Sequence, residues 1–223
     1  MPAQVSVVIP ALDEEACIAA AIDSAFAAGA AEVIVADGGS SDATVPIAQA
    51  HGARVVEGER VRARQLNRGA EAAAHDALIF LHADSLLPDG SAEAVVRALE
   101  EGFVFGGFRA RFIEGDPRLA CVAFMINART RITRAPWGDQ AQFTSRAAFL
   151  RAGGYREMPI MEDYELAARM RRTGRTVLLP LTVRTSGRRF LRKGVIVTSV
   201  LNWLIIAAFH AGVSPERLAR WYR

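Results

Sequence analysis

The sequence has few of the features that mark a disulfide-rich or nucleic-acid-binding protein. It has only two cysteines, Cys17 and Cys121, which lie far apart and in no motif. This argues against a disulfide framework or a cysteine metal site and fits a reducing cytosol. The net charge is only +3, from 27 basic and 24 acidic residues, so no nucleic-acid partner is expected. No leader-like segment precedes the first predicted strand, which favours a cytoplasmic location.

What the sequence does contain is an alternation of short apolar runs and helical segments. Apolar residues make up 51% of the chain and charged residues 23%, as in a globular domain. The predicted strands of the first half are 5–10, 32–37, 54–57 and 78–82, and the predicted helices are 14–28, 43–51 and 62–75. This alternation predicts an α/β fold with a Rossmann-like, mostly parallel sheet flanked by helices.

The second half is predicted to continue with helices and strands in a less regular order. We expect helices over 91–101, 116–134, 146–152 and 161–172, and strands over 103–112, 142–145 and 177–179. Gly106 and Gly107 are expected to break the strand in which they lie. On this basis residues 1–187 form one domain, and residues 188–223 form a C-terminal helical appendage.

The appendage contains a long uncharged run. Residues 195–213 carry no formal charge, counting His210 as neutral, and basic residues flank them on both sides. The run is at the lower edge of the roughly 20 residues that a membrane-spanning helix needs. We therefore predict a C-terminal hydrophobic helix that packs on the domain, a partner or the membrane face, with a true span as the alternative. Residues 190–213 are the expected region of a peripheral membrane contact or a homodimer contact.

Acidic residues follow three of the predicted strands. Asp37 ends the second strand, Asp84 follows the fourth, and Asp13 and Glu14 follow the first. Parallel strands place these ends at one edge of the sheet, where α/β proteins bind ligands. His82 and Asp84 are two residues apart and would share a face in extended chain, which suits a divalent cation that also holds phosphate oxygens. The alternative is that ordinary turn residues end these strands.

Six short stretches, in order and at similar spacing, resemble those of family 2 glycosyltransferases with the GT-A fold. They are VVIPALDEE at 7–15, ADGGSSD at 36–42, RQLNRGA at 64–70, FLHAD at 80–84, GGY at 153–155 and ED at 162–163. The resemblance covers residues 5–180 and implies an inverting transfer of a sugar from a nucleotide-sugar. It also implies that Pro10, Leu12, Glu14 and Asp37 hold the nucleotide base and ribose.

The same resemblance implies that Asp84 binds Mn2+ or Mg2+ together with the donor diphosphate. The sequence departs from the family here, because His82 stands where the first aspartate of an aspartate-x-aspartate element is expected. His82 is therefore the second candidate metal ligand. The loop at 138–140 and the run at 159–163 resemble a small bacterial subgroup described as arsenosugar-biosynthesis glycosyltransferases.

Two residues of the third predicted helix are candidate contacts for the donor. Arg64 and Asn67 lie three residues apart and therefore share one helix face. A guanidinium group can bind a diphosphate through two hydrogen bonds. The alternative is a solvated helix surface, and the match to the family favours donor binding by both residues.

Asp163 is the predicted catalytic base. The acceptor hydroxyl must lose its proton as it attacks the anomeric carbon, and a carboxylate at a helix start is held in place. Asp139 is the competing candidate, either as the base or as an acceptor-binding residue. Trp137, Gln140 and Glu162 are expected to bind the acceptor or to support the site. The alternative is that Glu162 and Asp163 merely cap their helix.

The sequence thus predicts an enzyme that moves a sugar from a nucleotide-diphosphate-sugar to a hydroxyl of a small-molecule or lipid acceptor, assisted by Mn2+ or Mg2+. A nucleotidyltransferase is the first alternative, although no glycine-rich, lysine-containing phosphate loop lies early in the chain. A non-catalytic, membrane-associated module that binds sugar nucleotides is the second alternative. Such a module would have no need of an acid at Asp163.

Overall fold

The computed structural model describes residues 4–222 and contains an eight-stranded sheet. Its strands are β1 (Val5–Ala11), β2 (Glu32–Asp37), β3 (Arg54–Glu57), β4 (Ala77–Phe80), β5 (Ser85–Leu86), β6 (Phe103–Phe112), β7 (Gln142–Ser145) and β8 (Arg175–Thr185). Their spatial order is β3-β2-β1-β4-β7-β6-β8-β5. The two-residue strand β5 and most of the length of β8 are not predicted from the sequence.

Helices flank the sheet, and the seven described before residue 187 lie close to the predicted ranges. They are α1 (Ile18–Ala27), α2 (Thr44–Ala50), α3 (Arg62–Ala72), α4 (Ser91–Glu100), α5 (Pro117–Thr133), α6 (Arg146–Arg151), α7 (Glu162–Thr173), α8 (Arg188–Lys193), α9 (Val195–His210) and α10 (Pro215–Tyr222). A 3₁₀ turn lies at Gly138–Gln140. α1 begins later than predicted because the preceding residues form a turn, in which Asp13 has a left-handed φ of 53°.

The sheet is mixed, whereas the sequence predicted a mostly parallel one. β3, β2, β1 and β4 are parallel to one another, as expected for consecutive strand–helix units. β7 runs antiparallel to both β4 and β6, and β5 runs antiparallel to β8. β6 and β8 are again parallel. The strand–helix rule therefore describes the first half of the sheet and fails beyond β4, where the chain no longer alternates regularly.

Hydrophobic layers form on both faces of the sheet because side chains alternate along each strand. In β1, Val7 and Ile9 face the layer made with α1 and α4, whereas Val8 faces the layer made with α3, α6 and α7. Gly69 allows α3 to lie close to β1, since a Cβ there would be 2.3 Å from Val8 Cγ1. The strand ends that carry the acidic residues are thus supported by a hydrophobic core on both faces of the sheet.

The glycine pair in β6 serves close packing and does not interrupt the strand. A Cβ on Gly106 would lie 2.3 Å from Phe143 Cζ and 2.7 Å from the Val177 carbonyl oxygen. A Cβ on Gly107 would lie 2.6 Å from Pro136 Cβ. The prediction of a broken strand is therefore wrong, because these glycines make room for neighbouring groups within a continuous strand.

The C-terminal helices pack against α5 and the segment that leads into α7. Val195, at the start of α9, joins a small cluster with residues of α5. Ile205 of α9 and Leu218 of α10 are buried against Met161. Within the described part of the chain, no helix is both long enough and apolar enough to cross a membrane. The division of the chain after residue 187 stays a prediction.

Candidate active site

The carboxyl ends of β1, β2 and β4 meet at one edge of the sheet, where the first acidic residues lie. Asp37 ends β2, and its carboxylate accepts hydrogen bonds from the Gly39 and Ser40 N–H groups at 2.8 and 2.9 Å. Pro10 is buried in β1 and pairs with Ala36 of β2. Leu12 follows β1 in the turn at this edge. These contacts order the predicted nucleotide-binding turn.

Two acidic residues at this edge share an arginine from the appendage. Arg188 Nη2 lies 2.8 and 2.9 Å from the two carboxylate oxygens of Glu14, and 3.4 Å from Asp84 Oδ2. Burial raises the pKa of Asp84. The Arg188 guanidinium opposes this rise, and the Glu14 carboxylate adds to it. Arg188 therefore pairs with both carboxylates, and its single positive charge offsets one of their two negative charges.

The segment between His82 and Asp84 is a turn, contrary to the extended chain expected from the sequence. β4 ends at Phe80, and the Ser85 N–H donates to the His82 carbonyl at 3.1 Å. Both side chains nevertheless line the same cavity. Burial, and secondarily the Arg62 guanidinium, hold the pKa of His82 well below its usual range, so its imidazole is neutral and can act as a ligand.

A cavity of about 380 Å³ opens beside this edge, between the sheet and the appendage. The site residues predicted from the sequence that line it are His82, Asp84, Trp137, Asp139, Glu162 and Asp163. Small-molecule sites typically have volumes of about 300–1,000 Å³. The structure therefore brings together side chains from the turn after β4, from the 3₁₀ turn and from the start of α7.

Asp163 lies near the start of α7 and is held by backbone groups. The Gly138 N–H donates to its Oδ2 at 2.6 Å, and the Tyr164 N–H donates to its Oδ1 at 2.7 Å. A Cβ on Gly138 would lie 2.6 Å from His82 Nε2 and 3.0 Å from Asp163 Oδ2, so a larger residue there would displace these side chains. The carboxylate is thus fixed in orientation beside a neutral imidazole.

Asp139 lies in the same cavity in a less satisfied environment. Among the described residues, its Oδ1 is a buried atom without a hydrogen-bond partner. Burial raises the pKa of Asp139 to about 6, despite the opposing effect of the Arg129 guanidinium. Burial likewise lowers the pKa of Arg129 to about 10. A carboxyl group that titrates near neutral pH is suited to proton transfer, so the competition between Asp139 and Asp163 remains open.

Glu162, the first residue of α7, is buried and paired with a cation. Arg62 Nε lies 3.6 Å from Glu162 Oε1. Burial raises the pKa of Glu162, and so does the neighbouring Asp163 carboxylate, whereas Arg62 opposes the shift. Met161, just before the helix, has a left-handed φ of 73°, a strained conformation for a side chain of this kind. Such strain is typical of segments that position functional groups.

The other two predicted support residues hold the loop that carries Asp139. The buried Gln140 accepts hydrogen bonds at its Oε1 from Arg129, Thr130 and the Trp137 N–H, and it donates to the Phe108 carbonyl at 3.1 Å. Trp137 packs under the Arg129 guanidinium, whose carbon lies 3.3 Å from the ring centroid. Gln140 therefore shapes the loop, whereas Trp137 also lines the cavity.

Arg64 and Asn67 lie apart from this cavity in the structure. Arg64 pairs with Glu59 and, at 2.8 Å, with Glu157. The Asn67 amide donates to the Tyr155 carbonyl and accepts the Tyr155 N–H, both at 2.8 Å. Neither residue belongs to the described lining of the cavity. Arg64 therefore forms exposed ion pairs, and Asn67 links α3 to the backbone of Tyr155. A donor-binding role for either residue stays a prediction.

Sequence reasoning missed three arginines that shape the site. Arg62, Arg129 and Arg188 lie at a helix start, within a helix and at the start of the appendage, respectively. Clustering of arginines at 60–68, 129–134 and 184–192 was the available signal. It could not single out these positions, since their partners are distant in sequence: Arg188 is 174 residues from Glu14.

A parallel half-sheet with acidic strand ends, continued by antiparallel strands and joined to an acidic cavity, fits the GT-A fold. The family described as "Glycosyl transferase family 2" matches residues 6–154, more than half of the chain. The chain belongs to glycosyl transferase family 2 and is a glycosyltransferase. The alternatives of a nucleotidyltransferase and of a non-catalytic module are thereby set aside. No curated relative matches the chain.

Solved structures support the same fold. Glucosyl-3-phosphoglycerate synthase from Mycobacterium tuberculosis, in complex with Mn2+, UDP and glucosyl-3-phosphoglycerate, is 26% identical with a TM-score of 0.59. The match covers 82% of this chain and 71% of that one. Staphylococcus aureus TarS 1–349 has a TM-score of 0.66 at 14% identity, over 91% of this chain and 64% of that one, and shows the fold alone.

Proposed function

We propose that this protein transfers a sugar, with inversion, from a nucleoside-diphosphate-sugar to an acceptor hydroxyl. The observation that carries the proposal is the position of Asp84, which both belongs to the acidic edge of the parallel strands and lines the cavity that holds Asp163. A donor held at the edge would present its sugar to that cavity. Pro10, Leu12, Glu14 and Asp37 are proposed to hold its nucleoside.

Asp163 is the proposed general base. The acceptor oxygen forms a bond to the anomeric carbon as the bond between that carbon and the diphosphate oxygen breaks. The acceptor proton passes to a carboxylate oxygen of Asp163, and the nucleoside diphosphate leaves with the electron pair. Hydrogen bonds from the Gly138 and Tyr164 N–H groups orient this carboxylate. Asp139 is proposed to bind the acceptor, with the role of base as its alternative.

The family implies a divalent cation, and the donor set of this chain fits one. Within residues 4–222, no group of three or more His, Cys, Asp or Glu side chains forms a complete metal cluster. Mg2+ is usually held by one or two carboxylates together with substrate phosphates, so a complete protein cage is not required. Asp84 would hold the cation, with neutral His82 as a second ligand, and the cation would neutralise the leaving diphosphate. The related synthase was crystallised with Mn2+ and UDP.

Calorimetry of UDP binding tests the donor site. The parent protein should bind UDP more tightly with Mn2+ than with EDTA, and Asp84→Asn should remove most of that difference, since a neutral amide is a poorer ligand for a hard cation. Asp89→Asn, an exposed position five residues later, is the matched control and should behave as the parent. Equal affinity with Mn2+ and EDTA in all three proteins would contradict the metal role.

Two finer assignments stay predictions. The resemblance of the 138–140 loop and the 159–163 run to the arsenosugar-biosynthesis subgroup is supported only by those residues. A cytoplasmic location, at the membrane face or away from it, is supported by the sparse cysteines and the basic appendage. Screening nucleotide-sugars by thermal shift would identify the donor, because a bound ligand stabilises the folded state by mass action.

A further inference from the structure

The cavity has both charged and apolar lining. The charged groups come from the turn after β4, the 3₁₀ turn and α7, as described above. Val122, Met125 and Ile126 of α5 and Trp203 and Ile206 of α9 supply apolar lining. A ligand that fills the whole cavity must therefore have a polar part and an apolar part.

Two buried polar atoms on this lining lack partners. Within the described residues, neither Arg129 Nε nor Asp139 Oδ1 makes a hydrogen bond. Buried polar atoms in proteins are nearly always hydrogen-bonded, and a ligand group in the cavity would supply a partner for each of these two atoms. A negatively charged oxygen would satisfy the Arg129 N–H, and a hydroxyl would satisfy the Asp139 oxygen. The polar part of the ligand is thus an anionic group with a nearby hydroxyl.

The apolar lining continues onto an exposed surface, which we name the outer patch. It consists of Phe124 and Met125 of α5 and Ile196, Val197, Val200, Trp203 and Leu204 of α9. The α9 members recur at helical spacing and therefore share one face. Ile196 is 78% exposed and Trp203 is 56% exposed. Met125 and Trp203 belong both to the outer patch and to the cavity lining, so the cavity opens at the patch.

The two segments that carry the outer patch contain charge of one sign only. Neither 117–134 nor 188–213 contains an aspartate or a glutamate. Arg118 and Arg188 are ion-paired with Asp116 and Glu14, and Arg129 is stacked on Trp137. The other charged residues of the two segments are Arg131, Arg134, Arg189, Arg192 and Lys193. An anionic bilayer complements such a surface, since apolar burial and attraction to acidic headgroups reinforce each other. A symmetric dimer through the same face would place basic residues against basic residues, which disfavours a second copy as the occupant.

We propose that the outer patch docks on an anionic bilayer and that the acceptor is the hydroxyl of an anionic lipid headgroup. This inference rests on the proposed function. The headgroup lies among Arg129, Asp139 and Asp163, and the start of the hydrocarbon chain lies between α5 and α9. In the transfer step the headgroup oxygen bonds to the anomeric carbon, its proton passes to the base, and the nucleoside diphosphate departs with the electron pair.

Vesicle flotation with the full chain tests the docking surface. The parent should float with vesicles of phosphatidylcholine and phosphatidylglycerol and stay behind with phosphatidylcholine alone. Ile196→Glu, at an exposed position outside the cavity lining, should reduce this partition about tenfold or more, because it places a carboxylate in the apolar contact. Leu150→Glu on α6 is the matched control, at a 57% exposed leucine outside the patch, and should float as the parent does.

Several outcomes would overturn the docking surface. The first is that the parent does not float, and the second is that both variants lose flotation equally. The third is a parent dimer in light scattering that Ile196→Glu dissociates, while the parent does not float. UDP calorimetry on the same preparations separates the two proposals. UDP binding without flotation refutes only the membrane contact, whereas a parent that binds none of the screened nucleotide-sugars refutes the proposed function whatever the vesicles show.

A second titration tests the lipid nature of the acceptor. In the presence of UDP and Mn2+, monomeric dihexanoyl phosphatidylglycerol should bind the parent about tenfold or more tightly than glycerol 1-phosphate, which has the polar part alone, since the chain buries apolar surface. Ile206→Asp, in the apolar wall, should abolish that preference while circular dichroism confirms folding. Equal affinity of the parent for the two compounds would overturn the lipid acceptor.

Discussion

Asp163→Asn is the sharpest test of the catalytic assignment, because it removes the basic oxygen and keeps the shape of the side chain. In the parent, both carboxylate oxygens accept backbone hydrogen bonds, from the Gly138 N–H at 2.6 Å and the Tyr164 N–H at 2.7 Å. Asparagine has only one acceptor oxygen. Its NH2 group must therefore face one of these N–H donors, and one hydrogen bond is lost.

The two effects of the substitution have separate magnitudes. Loss of a general base lowers turnover by ~10²–10⁴-fold. Loss of one hydrogen bond that leaves a partly buried donor unpaired lowers the free energy of unfolding by ~1–3 kcal/mol. In a chain of this size, each kcal/mol lowers the melting temperature by about 2–4 °C. Donor affinity should remain unchanged, because the side chain acts on the acceptor.

The assay is release of the nucleoside diphosphate from the nucleotide-sugar that the thermal-shift screen identifies, with thermal unfolding measured on the same preparations. Asp139→Asn is the comparison variant, since Asp139 lines the same cavity and competes for the role of base. Asp89→Asn, on the surface, controls for the general effect of removing a carboxylate. Turnover of Asp163→Asn within a few-fold of the parent, together with an inactive Asp139→Asn, would refute the assignment and transfer the role to Asp139.

Three further predictions concern stability. Burial raises the pKa of Asp139 from 3.8 to about 6, so the folded state binds more protons than the unfolded state between these pH values. The parent should therefore lose up to about 3 kcal/mol of unfolding free energy as pH rises from about 4 to 6. Asp139→Asn should flatten this pH dependence in urea titrations. Asn67→Ala should lower the unfolding free energy by ~1–3 kcal/mol, because both amide atoms bond to the Tyr155 backbone. Unchanged stability with weaker UDP binding would instead support the donor contact. Gly106→Ala should destabilise by ~1–3 kcal/mol in thermal unfolding, since its Cβ would collide with Phe143; an unchanged midpoint would contradict this contact.

Particular strands show how much of the fold could be predicted from the sequence. Strands β1 to β4 were predicted within a few residues, because each is a short apolar run bounded by turn residues. β5 has only two residues and pairs with β8, so no local sequence pattern predicts it. The glycine pair of β6 was misinterpreted, because Gly106 makes room for the ring of Phe143 and Gly107 for Pro136, both of which lie outside β6.

The same distinction applies to the candidate site. Asp84, Asp139 and Asp163 could be proposed from strand ends, a loop and a helix start, which are local signals. The turn at His82 could not, since a hydrogen bond from Ser85 replaces the extended chain that spacing alone implies. The structural role of Asn67 was equally hidden, because its partner is the backbone of Tyr155, 88 residues away in sequence.

The sequence by itself determined the parallel half of the sheet, the acidic edge and the family, since each depends on residues within one strand, turn or helix. Only the tertiary structure decided that Arg188 pairs with both Glu14 and Asp84, and that α5 and α9 add an apolar wall to the acidic cavity. The physical reason is that charge pairs and cavities depend on where separate elements meet. Local periodicity records which face of an element is apolar, but it does not record which face of which partner will cover it.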